Sequence, residues 1–240
     1  MRYIIKLLSL AKKRAKVFRQ TAVVQHFKLL NPASKLTTRR LHYLSGLMLA
    51  FFTGLHLLNH LYSVAGTDQH IEVMKSLRLV YRNILVETIL LMAVLLQIVS
   101  GIKLFKKSRK AAVSNIDKLH RWIGLYLAAF FVIHVGSVLV GRTILHLDTN
   151  FYYGVAGLNT FPFNLFFIPY YGLATISFFG HMAAIHSKKM KQDVFGWTPQ
   201  RQAKAILGLG IILTAFMFYG LTNRFKGVEV PTEYNVLIGK

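Results

Sequence analysis

The hydrophobic pattern of the chain is dominated by five long runs from which charge is nearly absent, covering residues 41–63, 84–105, 119–141, 163–186 and 205–222. Each is close to the ~20 residues an α-helix needs to cross a hydrocarbon layer ~30 Å thick. The pattern predicts an all-α integral membrane bundle of five transmembrane helices. Between the first two runs, VAGTDQHIEVMKSLRLVYRN (64–83) mixes apolar and polar positions in the manner of an amphipathic interfacial helix. The longest irregular stretch is 142–163, with Gly, Asn and Tyr. No Pro/Gly/Ser-rich linker interrupts the chain. It divides into an N-terminal segment (1–40), a five-helix domain (41–222) and a tail (223–240), the last expected to fold against the outer face or a partner.

Composition agrees: of 240 residues 54% are hydrophobic and 16% charged, with a mean hydropathy of +0.43. The 30 Lys and Arg against 8 Asp and Glu would suit a nucleic acid in number but not in placement. Twenty-three of the 30 fall in residues 1–40, 103–121 and 187–204. This asymmetry predicts that the N-terminus is on the cytoplasmic or matrix side of a bacterial or mitochondrial inner membrane, with the C-terminus outside. No nucleic acid partner is expected. Residues 1–40 contain no acidic residue, and MRYIIKLLSLAKKRAKVFRQ reads as a basic amphipathic helix on anionic lipid headgroups. A secretory signal does not fit, because the basic cluster follows the short apolar run; a mitochondrial transit peptide stays open. The chain has no cysteine, which excludes disulfides, cysteine-ligated iron–sulfur clusters and thiolate haem ligation within it. A redox centre here must use histidine.

Two spans carry histidine in a repeat. LHYLSGLMLAFFTGLH (41–56) is echoed by LHRWIGLYLAAFFVIH (119–134), each with Gly four residues after the first histidine and a second histidine fourteen residues after it. Fourteen residues advance a helix by about 21 Å and return within about 40° of the same face. Both spans run from inside to outside, so His56 and His134 reach one depth near the outer surface, and His42 and His120 another near the inner surface. Polar groups within a span are costly and are generally paired or functional. Two neutral imidazoles at matched depth suit bis-histidine ligation of haem b; the alternative is a hydrogen bond between helices. Gly46, Gly54, Gly124 and Gly136 offer places where a helix or a flat cofactor approaches the backbone.

His42 and His120 are second-choice ligands, alternatively solvated or in contact with propionates or headgroups. His60, one turn after His56, is a substitute ligand or lines the outer mouth. His181 lies where a ligand to an inner haem would sit. His26, His70, His146 and His186 fall at edges and receive no role. Glu87 is read as solvated or paired with Arg82, with proton transfer the lesser alternative.

From about Arg39 to Phe218 the chain resembles the transmembrane cytochrome b subunit of succinate dehydrogenase and fumarate reductase, in its five-helix, single-chain form. RRLHYLSG and LHLLNH resemble the first helix, GTDQHIEVMKSLRLVYRNILVE the amphipathic connector, and QIVSG, FVIHVGS and FFGHMAAIH the ligand-bearing parts of the next three. The resemblance implies that His56 and His134 ligate the haem distal from the catalytic subunits. It implies an inner haem held by histidines of the second and fourth helices, but the second carries Gln97 there, leaving His181 without its usual partner. The inner haem is then absent or held otherwise, by His42 and His120 or by His181 with an unidentified partner; one haem is expected. Ser45, His42 and Arg121 correspond to quinone and propionate contacts, or simply anchor the helix starts.

The implied role is a membrane anchor in respiratory electron transport. It passes electrons between an iron–sulfur subunit, with its flavoprotein on the cytoplasmic or matrix face, and membrane quinone. Dicarboxylate chemistry would belong to the partners, since no nucleotide fingerprint or nucleophile-and-base motif is present in this chain. Two other readings stand beside it: a self-sufficient cytochrome resembling the b561 type, and a haem-free scaffold subunit.

Overall fold

The computed structural model describes residues 37–109 and 114–240. The expected N-terminal amphipathic segment lies outside the described residues except for its last four. Residues 38–240 form one compact unit. Its helices are α1 (Thr38–Leu61), α2 (Thr67–Tyr81), α3 (Ile84–Ser108), α4 (Asn115–Thr143), α5 (Phe151–Val155), α6 (Asn164–Lys189) and α7 (Pro199–Leu221). Short 3₁₀ turns follow α1 (Tyr62–Val64) and close the chain (Thr232–Ile238). Among the described residues the β-structure is one isolated bridge, Val194 with Trp197.

Five helices, α1 with its 3₁₀ extension, α3, α4, α6 and α7, are long and apolar enough to cross a membrane, so the chain is an all-α membrane bundle. They begin and end a few residues away from the apolar runs because polar caps set their ends. Asn83 accepts from the Leu85 N–H at the start of α3, Ser114 from Asp117 N–H at α4, and Thr198 from Arg201 N–H at α7, where Pro199 occupies the first turn. Thr198 thus starts α7 six residues ahead of its apolar run. The connector is the helix α2, entered through Gly66 at φ +138°, a conformation open to glycine.

The long helices close into a ring: α1 packs on α3, α3 on α4, α4 on α6, α6 on α7, and α7 back on α1. Large apolar side chains such as Leu85, Ile89, Met92 and Leu96 point outward, as lipid-facing positions do. In lipid the helices gain little from burying Leu, so close approach through small residues matters more. At Gly172 on α6, the Phe218 ring of α7 lies 3.2 Å from where a Cβ would sit. A Cβ on Gly220 would lie 2.6 Å from the Val64 backbone nitrogen, which cannot move aside as a side chain can. Gly220→Ala is therefore expected to cost about 1–3 kcal/mol. Gly208→Ala, with open space around its Cβ position, should be neutral or mildly stabilising. Thermal unfolding of the two variants in detergent checks this.

The two ends of the bundle differ. At the end carrying residues 62–83 and 142–163, here the far end, Leu57, Phe151, Val155, Leu158, Met217 and Leu221 form a buried apolar cluster. Tyr234, 1% exposed, places its hydroxyl 3.0 Å from both the Asp148 carbonyl and Asn150 Oδ1, so the tail folds against the 142–163 segment. Arg78 pairs with Asp148 at 2.8 Å, and Arg82 donates to Thr149 at 2.8 Å. Glu87 is paired with Arg142 of α4 rather than with Arg82, because α3 and α4 are ring neighbours. The opposite end, with residues 114–121 and 187–204, is the basic end.

Candidate functional site

Histidines gather inside the ring at two levels. At the far level, α1 presents His56, Asn59 and His60, α4 presents His134, and α2 folds over them with His70 fully buried. The His56 and His134 ring centres are 6.1 Å apart with planes at 65°. Phe130 lies parallel to His134 at 5.0 Å and Phe52 parallel to His56 at 6.0 Å, while Tyr171 of α6 meets His134 edge-on at 6.4 Å. These are ring contacts, whereas His56 also has a polar one: its Nε2 is 3.2 Å from His60 Nε2.

The hydrogen bonds continue outward. His60 Nδ1 is 3.2 Å from His70 Nε2, to which Asn59 Nδ2 donates at 3.3 Å. If His70 Nε2 accepts, a neutral His60 donates from Nδ1 and accepts at Nε2, so His56 donates from its own Nε2. Asn59 Oδ1 and His70 Nδ1 are buried without hydrogen-bond partners among the described residues.

Two imidazoles bound to opposite sides of one metal ion, through bonds of about 2 Å each, hold their ring centres roughly 6 Å apart. The His56–His134 separation meets that requirement, and neutral imidazole is the right donor for haem iron. Gly136, two residues beyond His134 and so about 200° around α4 from it, has open space where a Cβ would stand but does not lie on the His134 face. Gly54 is open as well, but it is exposed on the opposite face of α1 from His56 and lines no interior cradle. The ring-centre separation suits a bis-histidine haem, provided His56 exchanges its His60 hydrogen bond for the metal and moves its proton from Nε2 to Nδ1. No three or more His, Cys, Asp or Glu among the described residues converge on a metal-ion position.

His70 was not singled out by the sequence because it sits in a polar-looking connector. A signal was there: His70, Met74, Leu77 and Tyr81 recur at helical spacing, which puts His70 on the apolar stripe of α2. Burial, then repulsion by His56 and Arg78, pushes its imidazole down to about 4. Because the folded value lies below the unfolded ~6.5, His70 contributes stability above pH 6.5 that is lost as pH falls toward 4. The wild-type unfolding temperature should drop across pH 6.5 to 4 by more than that of a His70→Asn chain, whose amide cannot titrate.

At the basic level the expected pairings are redistributed. His42 does not stack on His120: its Nδ1 is 2.9 Å from Ser100 Oγ and its Nε2 is 3.3 Å from the Gln97 amide, both on α3. Its Cε1 fills the hollow at Gly101, 3.3 Å from the Cβ position. Ser45 Oγ is 2.8 Å from both Leu41 O and Gln97 Oε1 and donates its one proton between them, and Arg121 donates to the Ser108 carbonyl. All three residues that the resemblance assigned to quinone are thus already engaged in the bundle. His120 instead stacks on His181, ring centres 4.3 Å apart and planes at 34°, because the ring order places α4 beside α6. Gly124 makes room, with His181 Cε1 3.4 Å from its Cβ position. A separation of 4.3 Å is too short for one iron between them. Comparison with family models, with curated proteins and with solved structures returns no match.

Proposed function

We propose that the chain is a membrane-anchor cytochrome b subunit of a respiratory complex, of the succinate dehydrogenase and fumarate reductase kind, with one haem b held by His56 and His134. The observation that carries this is the approach of two imidazoles from α1 and α4, ring centres 6.1 Å apart, inside an apolar bundle. When bound, the haem supplies one-electron transfer within the bilayer. The chain's own residues do the rest. His56 and His134 fix the position of the group, and Phe52, Phe130 and Tyr171 surround the imidazoles with rings that keep water away. His60, backed by His70, orients His56 before binding.

The basic end, taken as cytoplasmic or matrix by the positive-inside asymmetry, would face an iron–sulfur subunit with its flavoprotein, and quinone would enter from the bilayer. The test is a dithionite-reduced minus oxidised spectrum of the purified chain, expected to carry b-type bands. Co-purification with an iron–sulfur and a flavin-containing protein would favour the anchor reading over a self-sufficient b561-like cytochrome. Preparations without b-type bands, from cells supplied with haem, would leave the histidines as a hydrogen-bonded scaffold.

A further inference from the structure

Around His70 the hydrogen bonds of the far level do not balance. A neutral imidazole nitrogen that accepts has one lone pair, yet Asn59 Nδ2 lies 3.3 Å and His60 Nδ1 3.2 Å from His70 Nε2, two donors for one acceptor. Beside this crowded atom Asn59 Oδ1 is buried with no hydrogen-bond partner among the described residues. Asn59 is 3% exposed and His70 0%, so bulk water does not reach them. Buried polar groups are as a rule satisfied, and one that is not calls for a partner from elsewhere.

A half-turn of the Asn59 amide exchanges its oxygen and nitrogen. Oδ1 then faces His70 Nε2 in place of Nδ2, and the lone pairs of His60 Nδ1, His70 Nε2 and Asn59 Oδ1 gather at one place. Such a set calls for a cation. Two ligand atoms, each about 2.0–2.1 Å from one tetrahedral zinc ion, stand ~3.3 Å apart, and the contacts of 3.2 and 3.3 Å match that spacing. Hydrogen bonds between nitrogens fall in the same range, so the deciding observation is the acceptor with two donors beside an orphaned oxygen. We propose that His60, His70 and Asn59 form a binding site for a divalent transition-metal ion of the zinc class, with water from the far side completing its shell. Imidazole favours such ions over magnesium or calcium. The set holds two imidazoles and an amide, with no third His, Cys, Asp or Glu among the described residues converging there. On binding, the His60 proton moves from Nδ1 to Nε2 and the His56 proton from Nε2 to Nδ1, so their contact still shares one proton. Arg78, whose charge acts on His70, is paired with Asp148 at 2.8 Å, which offsets its repulsion of the ion. The ion ties the connector α2 to α1, and the site does not rest on the haem reading.

The experiment titrates Zn²⁺ by calorimetry into the detergent-solubilised full chain, treated with EDTA and freed of any affinity tag. Saturable binding is expected, weakened about tenfold or more by His60→Ala and by His70→Phe. Asn59→Asp should tighten it, because a carboxylate replaces the amide oxygen, a gain that a packing role would not produce. His146→Ala, which removes an exposed histidine at the same end, and His134→Ala, which removes one of the haem pair, should leave it unchanged. Zinc should raise the unfolding temperature of the wild type but not of His60→Ala. X-ray absorption at the zinc edge should show nitrogen and oxygen ligands at about 2.0–2.1 Å, two of them imidazoles. Gel filtration reports folding independently of haem, and His60→Ala and Asn59→Asp keep the test open if His70→Phe does not assemble. Absence of saturable zinc binding to the wild type, or equal affinity in the wild type, His60→Ala and Asn59→Asp, overturns the proposal. So does zinc that is lost in His134→Ala and kept in His60→Ala, which would put the ion between the haem pair. A chain that binds zinc through His60 but no haem would refute the haem reading and leave this site standing, and haem without zinc would do the reverse.

Discussion

A His134→Ala chain is expected to lose its b-type absorption altogether while remaining in the membrane, and His56→Ala should behave in the same way. Each removes one of the two imidazoles proposed as ligands, and the described contacts of His134 are ring contacts that a small side chain loosens without orphaning a hydrogen bond. His60→Ala gives the contrast. It removes the ring that competes with the metal for His56 Nε2 and not a ligand, so the b-type absorption should persist, with haem retention unchanged or tightened. Substitutions at His42, His120 and His181 should leave the absorption intact. If His42→Ala and His120→Ala each halved the haem, a second haem would follow the fourteen-residue repeat. If His181→Ala alone removed a second haem, the arrangement implied by the family resemblance would hold in spite of Gln97. Either result would overturn the single-haem account.

The second large effect concerns orientation. The chain has no cysteine, so single introduced cysteines read out topology without background. Phe195, 98% exposed at the basic end, and Val236, 57% exposed in the tail, are suitable positions. In intact cells an impermeant maleimide is expected to label Val236→Cys and spare Phe195→Cys, and disruption of the membrane should make Phe195→Cys reactive. The prediction follows from the 23 of 30 basic residues on one side of the spans. Labelling of Phe195→Cys alone in intact cells would invert the bundle and move the proposed partner-facing surface to the other side.

The two histidine levels explain what could be read from the residues and what could not. The five spans were legible because each is a long apolar run, and the shared depth of His56 and His134 was legible because fourteen residues preserve a helix face and two parallel spans share a direction. Which rings touch was only half legible, since spacing fixes depth but not the order of helices around a ring. The repeat therefore suggested His42 with His120, whereas α4 lies beside α6 and brings His181 to His120, and α3 occupies His42 through Ser100 and Gln97. Gln97, which looked like a missing ligand, hydrogen-bonds Ser45 and His42 and fills the hollow left by Gly46, 3.1 Å from its Cβ position. His70 escaped notice for a different reason: the connector is charged on one face, and only its packing over α1 turns the other face inward. His120 also meets Lys188, sixty-eight residues away in the chain, a contact that no local motif encodes.

The central claim, one haem b between His56 and His134, is tested most directly by the haem-to-protein ratio of the purified wild-type chain, together with the electron paramagnetic resonance of its oxidised form. The account predicts a ratio near one and a low-spin ferric signal of bis-imidazole type that disappears in His134→Ala. A wild-type chain from haem-sufficient cells with no bound haem, or with the same signal after His134→Ala, would contradict it.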